Sequence, residues 1–156
     1  MLFRSKGEGS LNIIVWAGYA ENGSNDKTVD WVNPFTKATG CKVNAKTAGT
    51  SDEMVSLMKT GGYDGVSASG DASLRLIYGG QVAPVNTALV PNYANISSFL
   101  KNQNWNSVNS VMYGIPHGWG ANVLAYNSAK VKKPTSWSAV FDPKSPYAGK
   151  ITAYDS

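Results

Sequence analysis

Three short apolar segments, each followed by a polar loop and a helical pattern, constrain the fold of this chain more than any other feature. Residues 11–17 are apolar and β-branched, which is typical of a strand buried on both faces of a parallel sheet. Residues 41–46 alternate apolar and polar side chains and predict an edge strand, and residues 63–68 predict a short third strand. Strands that alternate with helices predict a doubly wound, mostly parallel α/β sheet.

The intervening segments have the spacing and end signals of helices. Residues 27–39 place apolar side chains three apart, but Pro34 lies among them and predicts a kink or a late helix start. Thr50 and Glu53 have the spacing of a capping box at the start of a second helix. A third helix is predicted over residues 72–78, after a capping turn.

The remainder of the chain has weaker patterns. Residues 84–109 are rich in Asn and Ser and predict a partly helical surface connection. Two more strands are predicted over residues 123–126 and 149–154, with a short helix within residues 134–143. Residues 1–10 lack the apolar region of a secretory signal, so we interpret them as a vector-derived or leftover leader.

Composition and motifs exclude several classes of function. The 156 residues are 42% hydrophobic and 15% charged, which indicates a globular chain, and no apolar run approaches the roughly 20 residues of a membrane span. The net charge of +4 is scattered without a basic stripe, so no nucleic-acid partner is expected. Cys41 and His117 are the only cysteine and histidine, so neither an internal disulfide nor a metal site is expected.

The best candidates for a binding site are the loops after the first three strands, together with a later loop rich in glycine and aromatics. In open parallel sheets, ligands bind beyond the carboxyl ends of the strands. Hydroxyls and helix N-termini there suit an anionic group, and the aromatic rings suit a cation or a flat ligand. The candidate ligand contacts are Trp16, Tyr19, Thr50, Ser51, Ser69, Gly70, Asp71, His117 and Trp119.

Each candidate also has a purely structural interpretation. The hydroxyls of Thr50 and Ser69 are equally explained as helix caps. For tryptophans such as Trp16 and Trp119, packing in the core or between lobes is the more common role, and a lone histidine such as His117 is more often structural than functional. The chain has no nucleophile elbow, phosphate-binding loop or dinucleotide fingerprint, so an enzyme and a bound cofactor are not expected.

Several of these segments together resemble a known family. The resemblance is to bacterial periplasmic solute-binding proteins of the polyamine and 4-aminobutyrate uptake class, and it covers essentially residues 11–156. No single motif decides it, but the motifs occur in the family's order. They are Trp-Ala-Gly-Tyr at residues 16–19, Gly-Thr-Ser-Asp-Glu-Met at 49–54, Ser-Ala-Ser-Gly-Asp-Ala-Ser-Leu at 67–74, Tyr-Gly-Ile-Pro-His-Gly-Trp-Gly-Ala-Asn at 113–122, and Lys-Ile-Thr-Ala-Tyr-Asp at 150–155.

The resemblance implies two α/β lobes of periplasmic-binding-protein type II, which close over a solute about a hinge. Residues 11–120 would form the first lobe, and residues 121–156 a hinge strand and the beginning of a second lobe whose remainder is missing. It implies a periplasmic monomer that delivers its solute to an ABC permease in the inner membrane. It also adds Asp155 and Ser156 to the ligand contacts. With only half of the cleft present, we expect the chain alone to bind weakly.

The preferred hypothesis is therefore a non-enzymatic binding protein for a small amine-bearing solute. We expect a 4-aminobutyrate-like amino acid ahead of a polyamine, because the candidate loops hold few acids and many hydroxyls. The alternative is a small α/β hydrolase or transferase that uses Ser69 or Asp71 as its nucleophile. A third hypothesis is a structural α/β module that binds no ligand.

Overall fold

The computed structural model describes residues 8–153, which form two compact units divided between His117 and Gly118. Most of the first ten residues and the predicted contacts Asp155 and Ser156 lie outside the described residues. Along the chain the elements are β1 (Ser10–Val15), α1 (Val32–Thr39), β2 (Lys42–Thr47), α2 (Ser51–Met58), β3 (Gly65–Val66), α3 (Gly70–Tyr78), β4 (Ser107–Val108), β5 (Val111–Met112) and α4 (Ser138–Phe141).

The first unit is built on a parallel three-stranded sheet in the order β2-β1-β3. The central strand β1 carries the β-branched run, and its last two residues, Ile14 and Val15, are buried. Because neighbouring side chains point to opposite faces of a strand, both faces are covered at this end of β1. The outer strand β2 is mostly exposed, which confirms its prediction as an edge strand.

Helix α1 is shorter than its apolar spacing predicts, and it starts late, as expected from its proline. It begins at Val32, so that Pro34 lies in the first turn, where its missing amide hydrogen costs no helical bond. The Asp30 carboxylate accepts a hydrogen bond from the Asn33 amide (3.0 Å), which also favours a start at this point. The helix ends at Gly40, whose φ of 72° is the left-handed conformation that glycine adopts without strain.

Helix α2 joins the sheet to α3 through two neighbouring core clusters. On one side Met54 packs with Ile14 and Ala48 beneath the sheet. On the other side Val55 packs with two buried residues of α3, Ala72 and Leu76. Burial of each large side chain stabilises the fold by about 1.5–3 kcal/mol, so α2 fixes both the sheet and α3.

Residues 84–117 complete the first unit with three short 3₁₀ segments and a hairpin of β4 and β5. The 3₁₀ segments agree with the predicted partly helical connection, but the sequence analysis missed the hairpin. Its turn residues, Asn109 and Ser110, both have positive φ, as in a two-residue hairpin turn. Strands of two residues are too short to show the alternation on which a strand prediction depends.

The second unit, described over residues 118–153, contains the predicted short helix as α4. The predicted strands are wrong: residues 123–126 and the described residues 149–153 have no strand conformation. An apolar run becomes a strand only where a neighbouring backbone accepts and donates its ladder hydrogen bonds, and no paired strand occurs among residues 118–153. In the described part of the chain, no helix has the length and apolar character needed to cross a membrane.

Candidate functional site

The loops that follow β1, β2 and β3 meet at one edge of the sheet, as the sequence predicts. The Ala48 amide donates to the Val15 carbonyl (3.0 Å), and the Ser67 amide donates to the Ile14 carbonyl (2.8 Å). These two hydrogen bonds extend the ladder past the strand ends and hold the second and third loops on either side of the β1 terminus. The edge therefore places the N-termini of α2 and α3 beside Trp16.

Three of the predicted contacts form one chain of hydrogen bonds at this edge. The Ser69 hydroxyl donates to Asp71 Oδ1 (2.7 Å), and Ser69 Oγ lies 2.8 Å from Ser51 Oγ. A hydroxyl has a single proton, and that of Ser69 is used by Asp71, so Ser51 must donate to Ser69. Ser51 is 1% exposed, whereas Asp71 is exposed. The chain thus runs from a buried hydroxyl to a carboxylate at the surface.

Thr50 has the capping role that its spacing predicts. Its hydroxyl accepts a hydrogen bond from the Glu53 amide (3.1 Å), and the Glu53 carboxylate accepts one from the Gly49 amide (2.8 Å). The Glu53 amide is one of the donors that the N-terminus of α2 would otherwise offer to an anion, and the Gly49 amide directly precedes the cap. The first turn of α2 also contains the acid Asp52. This end of α2 is consequently less attractive to a carboxylate ligand than the sequence analysis assumed.

Trp105 is a residue of this edge that the sequence analysis did not identify. A Cβ added to Gly70 would lie 2.9 Å from Trp105 Cβ, so the tryptophan packs directly on the first residue of α3. The neighbouring Asn106 is buried, and its side-chain oxygen has no hydrogen-bond partner in the described structure. Trp105 lies in the Asn-rich connection, where no periodic pattern predicts that a side chain is buried or contacts the edge.

The four aromatic residues predicted as contacts lie in three different environments. Trp16 packs on the cluster that contains Met54, which agrees with its structural interpretation. Tyr19 and His117 stack with their ring centroids 4.5 Å apart and their planes at 22°. Trp119 belongs to the second unit and is 64% exposed. The structure thus brings Tyr19 and His117 together, about a hundred residues apart in the chain, and gives Trp16 a role in the core.

Glu21 is a second acid near the same edge, in the loop between β1 and α1. It is 8% exposed, and both carboxylate oxygens accept from the side-chain amide of Asn25 (3.0 and 3.2 Å). Its Oε1 lies close to Gly18, where an added Cβ would approach to 3.7 Å. Gly18 has a φ of 84°, which suits glycine. Glu21 is not among the contacts predicted from the sequence.

The loop that holds Glu21 is well tied to α1. The Glu21 carbonyl accepts hydrogen bonds from the Trp31 and Val32 amides, both at 3.1 Å. Within the loop, the hydroxyl and the amide of Thr28 donate to the Asp26 carboxylate, and these hydrogen bonds lower the pKa of Asp26. The position of the Glu21 backbone is therefore fixed by α1 and does not depend on its side chain.

Neither a metal site nor the groove of the second unit is a comparable candidate for the binding site. Among residues 8–153, no group of three or more His, Cys, Asp or Glu side chains is placed to hold a metal ion. The second unit has an open groove whose lining includes Lys132, Lys133 and Lys144, with Asp142. Three lysines beside one acid disfavour an amine, and none of the predicted contacts lines this groove.

A parallel sheet covered by helices, with its loops gathered at the strand ends, defines the α/β class of fold. Comparison with solved structures supports this class of fold. A spermidine/putrescine ABC transporter substrate-binding protein from Streptococcus pneumoniae superposes on 65% of this chain and 30% of its own, with a TM-score of 0.54 and 22% identity. At that identity the likeness concerns the fold alone.

Sequence comparison identifies the family. The model of bacterial extracellular solute-binding proteins matches residues 30–156, so the chain belongs to that family. The chain is 26% identical to the spermidine/putrescine-binding periplasmic protein of Escherichia coli over 94% of its length, and 29% identical to that of Salmonella typhimurium over 70%. The chain spans 45% and 32% of these two relatives, less than half of their length. The resemblance stated from the sequence motifs is confirmed at the level of the family, and the family's solute-binding proteins give no support to the hydrolase or transferase alternative.

Proposed function

We propose that this chain contributes a lobe to an extracytoplasmic solute-binding protein that captures a small amine-bearing solute for an ABC permease. The observation that carries the proposal is the hydrogen-bonded chain from Ser51 through Ser69 to Asp71. It ends in an exposed carboxylate, and a carboxylate whose neighbouring hydroxyl is already a donor is well placed to accept an ammonium group.

The same geometry favours a polyamine over an amino acid. Both helix N-termini at this edge carry acids of their own: Asp52 and Glu53 on α2, and Asp71 on α3. These charges repel the carboxylate of a 4-aminobutyrate-like solute, and the exposed carboxylate of Asp71 attracts an ammonium group. The relatives support the same order, since they are spermidine/putrescine-binding periplasmic proteins.

A 4-aminobutyrate-like amino acid is the second candidate, and one observation favours it. Ser69 is the N-cap residue of α3, but its side chain makes no capping hydrogen bond. The amide groups of the first turn then retain their attraction for an anionic oxygen. The two candidates differ in the sign of the group placed at α3: an ammonium in the first, a carboxylate in the second.

Calorimetric titration separates the two candidates. We expect putrescine or spermidine to bind the longest natural form of the protein more tightly than 4-aminobutyrate. Replacement of Asp71 by Asn should weaken polyamine binding by about 10-fold or more, since it removes a charge-assisted hydrogen bond.

Asp52→Asn is the matched control, because Asp52 lies at the same edge but already pairs with Arg75. It should leave the affinity nearly unchanged. A protein that binds 4-aminobutyrate and neither polyamine would reverse the order of the candidates, and one that binds no amine would contradict the proposal.

The remaining contacts and the mode of capture extend the proposal. The stacked rings of Tyr19 and His117 would lie against the methylene chain of the solute, while Thr50 and Gly70 shape the edge around it. Trp16, Trp119, Asp155 and Ser156 complete the proposed contacts. We propose a periplasmic monomer in which a second lobe closes over the solute and excludes water. Tryptophan fluorescence that changes on addition of the solute would support closure.

A further inference from the structure

We propose that the buried carboxylate of Glu21 binds an ammonium group of the solute, as a second acidic subsite beside Asp71. This inference rests on the proposed function and goes further, because it names a residue outside the predicted contacts. Two acids at separate points of one edge would also explain a preference for solutes that carry more than one ammonium group.

The first argument is that the Glu21 charge has no positive partner. The residue is 8% exposed, so its carboxylate has lost most of its contact with water. Its side chain is hydrogen-bonded to the neutral amide of Asn25, and no cationic side chain of the described residues forms an ion pair with it. A buried carboxylate is costly unless a charge compensates it, and an ammonium group from the solute would provide that charge.

The second argument is that the carboxylate lies beneath a glycine. A Cβ at Gly18 would stand 3.7 Å from Glu21 Oε1, so any side chain at position 18 would lie over the carboxylate. Gly18 itself is exposed. Residue 18 therefore places no side chain against this oxygen.

The third argument is position. Glu21 is two residues after Tyr19, whose ring stacks on His117, and the turn that contains Gly18 is closed by a hydrogen bond from the Tyr19 amide to the Trp16 carbonyl (3.1 Å). The carboxylate thus belongs to the loop that follows the central strand, and the same loop carries one ring of an aromatic pair suited to aliphatic chains and cations. A purely structural role would not need the carboxylate, because the backbone carbonyl of Glu21 alone accepts the hydrogen bonds from the two amides at the start of α1.

The decisive variant is Glu21→Gln, which keeps the shape of the side chain and removes its charge. Wild type and variant are titrated with putrescine by calorimetry, and their folding is compared by thermal unfolding. We expect the variant to remain folded and to bind putrescine about 10- to 100-fold more weakly. The control is Glu53→Gln, which removes an acid used to cap α2 and should lower stability without a comparable loss of affinity.

A second variant tests the inference independently of the first. Asn25→Lys places an internal ammonium group beside Glu21, at an exposed position that tolerates a longer side chain. We expect it to raise the melting temperature and to weaken putrescine binding, since its charge competes with that of the solute. If Glu21→Gln does not fold, Asn25→Lys decides the question.

The outcomes separate this inference from the proposed function. If the wild type and Glu21→Gln bind putrescine equally well, the role of Glu21 is overturned and the proposed function stands. Where Glu21→Gln is unfolded, equal binding by the wild type and Asn25→Lys has the same meaning. Wild type that binds no amine would overturn both. A loss of affinity in the tested Glu21 or Asn25 variant, with Glu53→Gln unaffected, supports the second subsite.

Discussion

The N-termini of α2 and α3 lie side by side at the same edge of the sheet, begin with similar residues, and use them differently. At α2 the cap is local: Thr50 and Glu53 satisfy amides of their own segment. At α3 the hydroxyl of Ser69 caps nothing and instead connects Ser51 of α2 with Asp71. A hydroxyl followed by an acid can therefore either cap its own helix or hydrogen-bond to a neighbouring helix. Which of the two occurs depends on the side chain that lies across from the hydroxyl.

The difference assigns separate roles to the two helix ends. The α2 end is satisfied by its own residues, which makes it a stable support. The α3 end shares its polar groups with a neighbour and leaves the carboxylate of Asp71 at the surface. Under the proposed function, α3 is the one of these two helix ends that contacts the solute. Variants at matched positions of the two helices test the comparison.

The largest difference in unfolding free energy is expected between alanine variants of two glycines, Gly49 before α2 and Gly70 at the start of α3. Gly70→Ala places a methyl group 2.9 Å from Trp105 Cβ and should lower the free energy of unfolding by about 1–3 kcal/mol. Gly49→Ala is the control, since its nearest neighbour would be a flexible side-chain atom of Glu53 at 3.9 Å. Urea denaturation measures both, and equal stability of the two variants would contradict the packing of Trp105 on α3.

Ser69→Ala should have the next largest effect. It leaves the buried hydroxyl of Ser51 without its partner and should cost about 1–3 kcal/mol of unfolding free energy. The double variant Ser51→Ala/Ser69→Ala removes both hydroxyls and should cost less than the sum of the single variants. Additive costs in such a cycle would mean that the two hydroxyls are not coupled.

Thr50→Ala should destabilise α2 by about 1 kcal/mol, the usual value for the loss of an N-cap. The effect should be largely restored by Thr50→Ser, because serine offers an equivalent acceptor. At α3 the corresponding exchange, Ser69→Thr, has no capping bond to preserve. Urea denaturation would detect the contrast, and a Thr50→Ala variant as stable as wild type would show that the α2 cap contributes little.

The smallest effect is expected for the ion pair between Asp52 of α2 and Arg75 of α3. Both side chains are at least half exposed, so water and salt screen the attraction. Arg75→Gln should therefore change the unfolding free energy by less than about 1 kcal/mol, and less again at 0.5 M salt, about five times the ionic strength at which the screening length is ~10 Å. A larger, salt-independent loss would indicate that Arg75 has a packing role.

Much of the first unit could be predicted because its signals are local. The apolar run of β1, the proline near the start of α1 and the capping box of α2 each act within a few residues, and all three appear in the structure. The convergence of loops at one edge was also predictable, because parallel strands end on the same side. The apolar runs of the second unit failed as strand predictions, since pairing depends on a partner that the run itself does not contain.

The details of the candidate site depended on contacts between distant residues. The stack of Tyr19 on His117, the packing of Trp105 on Gly70 and the bond between Ser51 and Ser69 join positions that are 98, 35 and 18 residues apart. No spacing rule covers such pairs. Glu21 differs again: no motif includes it, and only its burial without a positive partner among the described residues gives it chemical interest.

The order of residues alone determined a parallel α/β layer and the edge at which its loops converge, because strand periodicity, capping and chain direction are local properties. Its motifs, taken in their order, also indicated the solute-binding family that the family model shows. Tertiary structure alone decided which polar groups are hydrogen-bonded within the fold and which remain exposed. That division is set by burial and by the partner across each gap, and both arise only when segments distant in sequence pack together.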